Sequence, residues 1–318
     1  VRTLLADMDV SSDAAVFAVN AIASVEGQGL GEWAGAASLL ASVADRPNLS
    51  PTQRLLVKAN LSSSLLETGQ TADTQRLIDS LMPELECGGL DQLRAYVLGT
   101  RASLEWAVGD AAVGDNNLAD AIGVLGAHQD TLGLCGCWCY GSLAARAAGD
   151  SETALVRAEH ADRLMARAGD PLRLLRAQAR TELAASLAAL GDLVGARRMA
   201  MAVREDLEGR GANAHKLRAD LVLAELDFRE ESLQAAVERL APYAEYIESG
   251  SLNYQLAMNI RATPVVLGLM SLAVGDERIP VRLLKMLTPE CAESLRGSIN
   301  EHADMSGARA IIVRLAGV

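Results

Sequence analysis

Three cysteines in five residues, Cys135-Gly136-Cys137-Trp138-Cys139, form the densest set of candidate metal or redox ligands in this 318-residue chain. On a helix, residues four apart share a face and residues two apart do not. Cys135 and Cys139 therefore fall together, and Cys137 points elsewhere. Zinc usually takes four ligands, and no second Cys or His pair lies at a ligand spacing. Cysteine is also among the most frequently buried residue types, so the trio is read as packing, with a redox or metal role as the alternative.

The remaining chemistry is sparse. His128, His160, His215 and His302 are scattered, with no His-x-x-x-His pair. Glu205-Asp206 and Glu230-Glu231 are neighbours only in sequence, and adjacent helical residues diverge by about 100 degrees. No nucleophile–base arrangement emerges. A phosphate loop of the Gly-x-x-x-x-Gly-Lys type is absent, because none of the three lysines (Lys58, Lys216, Lys285) follows a glycine. Gly27-Gln28-Gly29-Leu30-Gly31 follows a helical pattern rather than a strand, and reads as an inter-helix turn. The expectation is a binding protein, not an enzyme, with no cofactor and no metal.

The residues that position these groups are organised by a period. Small turns centre on Gly29, Gly69, Gly109, Gly149, Gly191, Glu230 and Gly275, at gaps of 40, 40, 40, 42, 39 and 45 residues. A fixed period of this length signals stacked repeats. Half the residues are apolar and only 3 % are aromatic, with alanine and leucine prominent, which suits close-packed helices better than sheets. The clearest unit runs from Asp170 to Arg210. Asp170 suits a helix N-cap and Pro171 the first helical position. Leu172, Leu175, Ala179, Leu183 and Leu187 then recur at helical spacing. Gly191-Asp192 breaks the pattern, and Ala196, Met199, Ala200, Val203 and Leu207 mark a second helix.

Other units share this pattern. Ser50-Pro51-Thr52-Gln53 carries a capping box, and Asp91 and Asp130 open further first helices. Five residues after the turn stand Ala34, Thr74, Gly114, Ala154, Ala196 and Ala235. Seven before it stand Ser62, Ala102, Ser142, Ala184 and Gly268. Small residues at both places let paired helices approach closely at their crossing. The expected fold is all-α: a right-handed α-α superhelix of about seven helix pairs, forming one domain over residues 1–318. The units are placed at about 13–48, 50–86, 91–129, 130–169, 170–211, 213–250 and 252–288, with 289–318 as a capping segment.

Gly149-Asp150 with Ala154, Trp138 and Ser142 resembles the tetratricopeptide repeat, although the period is about 40 rather than 34 residues. Long alanine- and leucine-rich repeats of this kind resemble the sensor region of large LuxR-like and maltose-activator-like bacterial transcription regulators. The resemblance implies that first helices line a concave groove. Groove positions then lie three, six, ten and thirteen residues before each turn. They comprise Trp106, Ser103, Gly99 and Tyr96; Arg146, Leu143, Cys139 and Gly136; Ala188, Ala185, Thr181 and Gln178; and Asp227, Ala224, Asp220 and Leu217. Leu56, Ala59, Val265 and Leu269 are added from the terminal units.

The formal charge of −12, from 29 basic and 41 acidic residues, leaves no basic stripe for nucleic acid. The apolar stretch from Ala262 to Gly275 is too short to span a bilayer. Five cysteines in a chain that is neither small nor loop-rich favour a reducing cytoplasm over a disulfide framework. The chain begins at Val1 and is expected to be part of a larger protein. The expected role is a cytoplasmic sensor and interaction domain that binds a protein or peptide partner or a small-molecule effector. It makes no nucleic-acid or membrane contact, and self-association is left open. A free-standing adaptor or chaperone-like scaffold is the alternative.

Overall fold

Helix follows helix through the residues that the computed structural model describes, 13–168, 173–230, 232–275 and 283. Six antiparallel pairs stack in chain order. They are α1 (Asp13–Ser24) with α2 (Trp33–Ala44), α3 (Pro51–Glu67) with α4 (Thr71–Cys87), and α5 (Asp91–Val108) with α6 (Ala111–Ala127). Then come α7 (Thr131–Ala147) with α8 (Ser151–Ala168), α9 (Arg173–Ala189) with α10 (Leu193–Asp206), and α11 (Asn213–Arg229) with α12 (Leu233–Leu240). Each first helix packs on its own second helix and on the first helix of the next pair. The first helices thus form an inner layer and the second helices an outer one. The architecture is an all-α helical-repeat solenoid, and no strand occurs among the described residues.

Local sequence chemistry sets the helix ends. Ser50 and Gln53 bond each other's backbone N–H at 3.3 and 2.8 Å, with Pro51 as the first helical residue. Asp110, Asp130, Asp150 and Asp192 each accept a bond from the N–H three residues on, at 3.1, 2.9, 3.0 and 2.9 Å. Each such cap is worth about 1 kcal/mol. Asp91 differs, since Leu90 takes the cap and Asp91 is the first helical residue. Asp170, Pro171 and Leu172 lie outside the described residues. Gly69, Gly109, Gly149 and Gly191 turn the chain with φ of +84, +98, +83 and +87°, a region that other residues rarely adopt.

The small positions are where the pairs cross. Thr74, Ala154, Ala196, Ser62, Ala102, Ser142 and Ala184 are all wholly buried. The approach is close enough for the Ser142 hydroxyl on α7 to donate to the Ala154 carbonyl on α8 at 2.8 Å. Two units depart from the expected register. The chain continues from α1 into a π-helical segment, Val25–Leu30, and the left-handed turn falls at Gly31 instead of Gly29. The buried alanine of α2 is then Ala36, while Ala34 is exposed. The sixth unit is offset by one residue from a turn centred on Glu230. Ser232 occupies the N-cap position of α12 without a side-chain bond, and its N–H bonds the carbonyl five residues back, as those of Asp110, Asp150 and Asp192 do. Ala236, not Ala235, is the wholly buried residue there.

The expected seventh unit does not repeat the pattern. Its long first helix is cut at Pro264. Thr263 leaves the helical region, as residues before proline tend to do. The halves are α14 (Asn253–Ala262) and α15 (Val265–Val274), preceded by the short α13 (Ala244–Ser249). Helix α15 packs on α11 and α12, whereas α14 turns inward onto α3 and α7. The second helix expected after Gly275 and the segment 289–318 lie outside the described residues, except for the buried Leu283. No described helix is long and apolar enough to cross a membrane.

The inner layer also curls until its ends meet. Tyr246 donates to the Gly31 carbonyl at 2.8 Å, and the His215 ring nitrogen Nε2 to the Gln28 carbonyl at 3.1 Å. Trp33 joins the apolar cluster of Ala214, Leu217 and Leu221. A Cβ on Gly31 would stand 2.2 Å from the Ala214 Cβ and from the Tyr246 hydroxyl. Contact is therefore not confined to neighbouring pairs.

Two glycines of α6 should respond oppositely to the same change. A Cβ at Gly114 would lie 2.5 Å from the Trp106 ring, whereas one at Gly123 meets nothing within 4 Å. Gly123→Ala is expected to stabilise by about 0.5–1 kcal/mol through helix propensity. Gly114→Ala is expected to destabilise by about 1–3 kcal/mol through overpacking. Thermal melts check both, and equal signs would contradict the packing of Trp106 on α6.

Candidate functional site

The inner layer lines a partly open chamber of about 570 Å³. Its wall comes from α1, α3, α5, α7 and α9, with Trp33 and Leu40 of α2. Ala214, His215 and Arg218, from the start of α11, and Leu252 and Gln255 complete the lining. The rest of the groove is taken by α14. Asn253 donates to the Thr68 carbonyl at 3.0 Å, Gln255 to the Tyr140 hydroxyl at 3.3 Å, and Arg261 to the Trp106 carbonyl at 3.1 Å. Tyr254 and Met258 join the apolar cluster that contains Leu98, Trp106 and Leu143.

Eight of the twenty sequence-predicted groove residues line this chamber, and Tyr96, Ser103, Trp106 and Gln178 are the larger or polar ones. Tyr96 is partly exposed, and its hydroxyl donates to Asp130 at 2.7 Å. Trp106 is buried, its ring against Gly114. Gly99, Gly136, Leu56 and Ala59 also line the space.

The other twelve predicted positions are not part of the lining, among them Leu143, Ala185, Ala188, Leu217 and Ala224. Cys139 faces Cys135 across 4.0 Å and packs with Ala161, Met165 and Ala179. Cys137 lies on the other face and does line the chamber. Burial pushes its thiol up to about 12, so it stays protonated. Thr181 is buried and bonds back to the Ala177 carbonyl at 2.8 Å. Arg146 donates to Glu182 at 3.0 Å and to Asn259 of α14 at 3.2 Å. Asp220 and Asp227 turn toward the outer layer. Asp220 meets Arg204 at 3.1 Å and the Tyr243 hydroxyl at 2.5 Å, and Asp227 meets Arg197 and Arg239, each at 2.8 Å. Val265 and Leu269 belong to the terminal apolar cluster.

The reason for the displaced acids is the late sixth turn. Counted from one residue beyond Glu230, the position thirteen back is Arg218 rather than Leu217, and Arg218 does line the chamber. The cap at Ser232, aligned with Asp110, Asp150 and Asp192, was the signal that could have corrected the count. Glu67, Tyr140, His215 and Gln255 were also missed. Glu67 and His215 sit at the last turn of α3 and the first of α11, beyond the middle positions that the repeat count samples.

These missed residues carry the site's electrostatics. Arg218 is buried and donates to Glu182 at 2.7 Å. Glu67 is 2 % exposed and accepts from the Tyr140 hydroxyl through Oε1. Desolvation outweighs that bond and lifts the Glu67 carboxyl from 4.5 to about 7. His215 is buried beside Arg218, and desolvation followed by the guanidinium charge lowers it from 6.5 to about 4. Its Nε2–H is used on the Gln28 carbonyl, which leaves Nδ1 as a lone-pair acceptor. Arg218 Nε, His215 Nδ1 and Gln255 Oε1 have no hydrogen-bond partner, and the Glu67 carboxyl meets Gln255. Among the described residues, no three His, Cys, Asp or Glu side chains converge as a metal site.

The two shifts imply opposing pH responses. The raised Glu67 value stabilises the fold below pH 4.5, and that contribution is lost as pH rises through about 7. The lowered His215 value stabilises above pH 6.5 and is lost as pH falls through about 4. Each amounts to roughly 3 kcal/mol at full extent. The stability of Glu67→Gln relative to the parent should therefore grow from pH 4.5 to 7.5. That of His215→Gln should grow from pH 6.5 down to 4. Urea denaturation across this range measures both, and profiles parallel to the parent would refute the assignment.

No protein-family model matches the sequence, and no curated protein matches it.

Proposed function

We propose that this chain is a ligand-sensing and interaction domain whose chamber holds a small effector. The observation that carries the reading is the chamber itself. Its volume of about 570 Å³ falls within the range of roughly 300–1,000 Å³ common to small-molecule sites. Its wall is mainly apolar, with a few convergent polar groups, as such sites require. The occupied groove favours a compact molecule over an extended peptide.

The resemblance of the repeats to the sensor region of LuxR-like and maltose-activator-like regulators supports a cytoplasmic role in bacterial transcription control. In that setting the chain would pass ligand occupancy to protein partners without touching nucleic acid. One observation favours a second reading, an adaptor that binds a peptide. Helix α14 is a ten-residue helix lying in the groove and held partly by polar side chains. An amphipathic helix from a partner could take the same place.

Gly136 offers the test. It lines the chamber, and a Cβ there meets nothing within 4 Å. Gly136→Leu should fill the space and raise stability by about 0.5–1 kcal/mol, because glycine is a poor helix former. Native mass spectrometry of protein purified from its host should find a bound small molecule on the parent and none on the variant. Equal occupancy of a thermally stabilised variant would sink the chamber as the binding site.

A further inference from the structure

Most polar groups around the chamber satisfy one another. Asn60 donates to Asn20 at 2.8 Å, Ser63 and Thr100 share a bond of 2.8 Å, and Ser64 donates to the Asn60 carbonyl at 3.1 Å. Among the lining residues, unsatisfied atoms occur at Glu67, Arg218, His215 and Gln255, each at least nine-tenths buried. Unpartnered buried polar atoms are costly in a native fold, and they mark places where a bound molecule completes the bonding.

Their chemistry is specific. Arg218 Nε–H is a donor. Glu67 Oε1 accepts from Tyr140, and the same carboxyl meets Gln255. His215 Nδ1 is an acceptor. The charges point the same way. Behind the wall, Glu182 is shared by two guanidinium groups, Arg146 at 3.0 Å and Arg218 at 2.7 Å. Below pH 7, where Glu67 is mainly protonated and His215 is neutral, two buried cations face one buried anion. An uncompensated buried charge is strongly unfavourable, and a bound monoanion would balance it. Away from this corner the wall is apolar, with Trp33, Leu40, Leu56, Leu93, Leu118 and Leu132.

We infer that the chamber takes an amphipathic monocarboxylate, its carboxylate on Arg218 in the corner formed with Glu67 and His215 and its apolar body along the leucine-lined wall. This rests on the reading of the chamber as a ligand site.

Isothermal titration calorimetry at pH 6 with sodium octanoate, 1-octanol and octylammonium chloride tests it on the intact chain. These three probes share one tail and differ in head-group charge. Octanoate should bind at least tenfold more tightly than either of the others. Arg218→Lys, which keeps the charge but lacks the Nε–H, should weaken octanoate several-fold and leave octanol unchanged. Gly136→Leu should abolish binding of all three. Equal binding of octanol and octanoate, or preference for octylammonium, would overturn the carboxylate assignment and leave the chamber intact as a binding site. Octanoate binding that survives Gly136→Leu would place the site elsewhere and overturn the chamber reading. If no probe binds, the carboxylate inference fails. The charge series on the parent protein decides the matter whether or not the Arg218 variant folds.

Discussion

A single buried carboxylate, Glu182, holds the inner layer in register. It receives one guanidinium from α7 and another from α11, each 36 residues away along the chain. Three successive inner helices are thereby fixed in rotation about their axes. The Arg146 contact to Asn259 extends the constraint to α14. Removing one member of such a buried group costs about 3–5 kcal/mol, because the remaining charge is left without compensation. The chamber depends on this arrangement, since Arg218 and His215 reach its wall only with α11 in this orientation.

Around that polar centre, small side chains set the distance between layers. Wholly buried alanine, serine and threonine at the crossings leave no room for a larger residue, and the Ser142–Ala154 bond spans the gap directly. The outer acids serve a different purpose. Asp220 and Asp227 each bind arginines of α10 and α12, tying the sixth pair to the fifth. Burial on the inner face thus selects neutral groups plus one shared charge centre, while the outer seam, with its half-exposed arginines, tolerates several ion pairs.

The repeat pattern was legible because it rests on local chemistry. Glycine in the left-handed region, aspartate at the cap and small residues at fixed offsets each need only a few neighbouring residues to be recognised. That was enough to place α3 to α11 and to bring Tyr96, Ser103, Trp106 and Gln178 to the chamber. Two slips had local causes too: the π-helical segment before Gly31, and the sixth turn, which lacks a glycine at Glu230. The inward fold of α14 was of another kind. Pro264 announced a break, but no local rule states that the preceding segment packs on helices more than a hundred residues earlier. Glu67, Tyr140 and Arg218 converge only in three dimensions, so spacing could not pair them.

The latch at Gly31 has a kinetic consequence. A coil of repeats with free ends can flex like a spring and release its contents by opening gradually. Here the first and sixth turns of the coil are clasped by Tyr246 and Ala214 against a residue without a side chain. Widening of the coil requires that clasp to part, so it proceeds as a discrete opening step instead of gradual flexing.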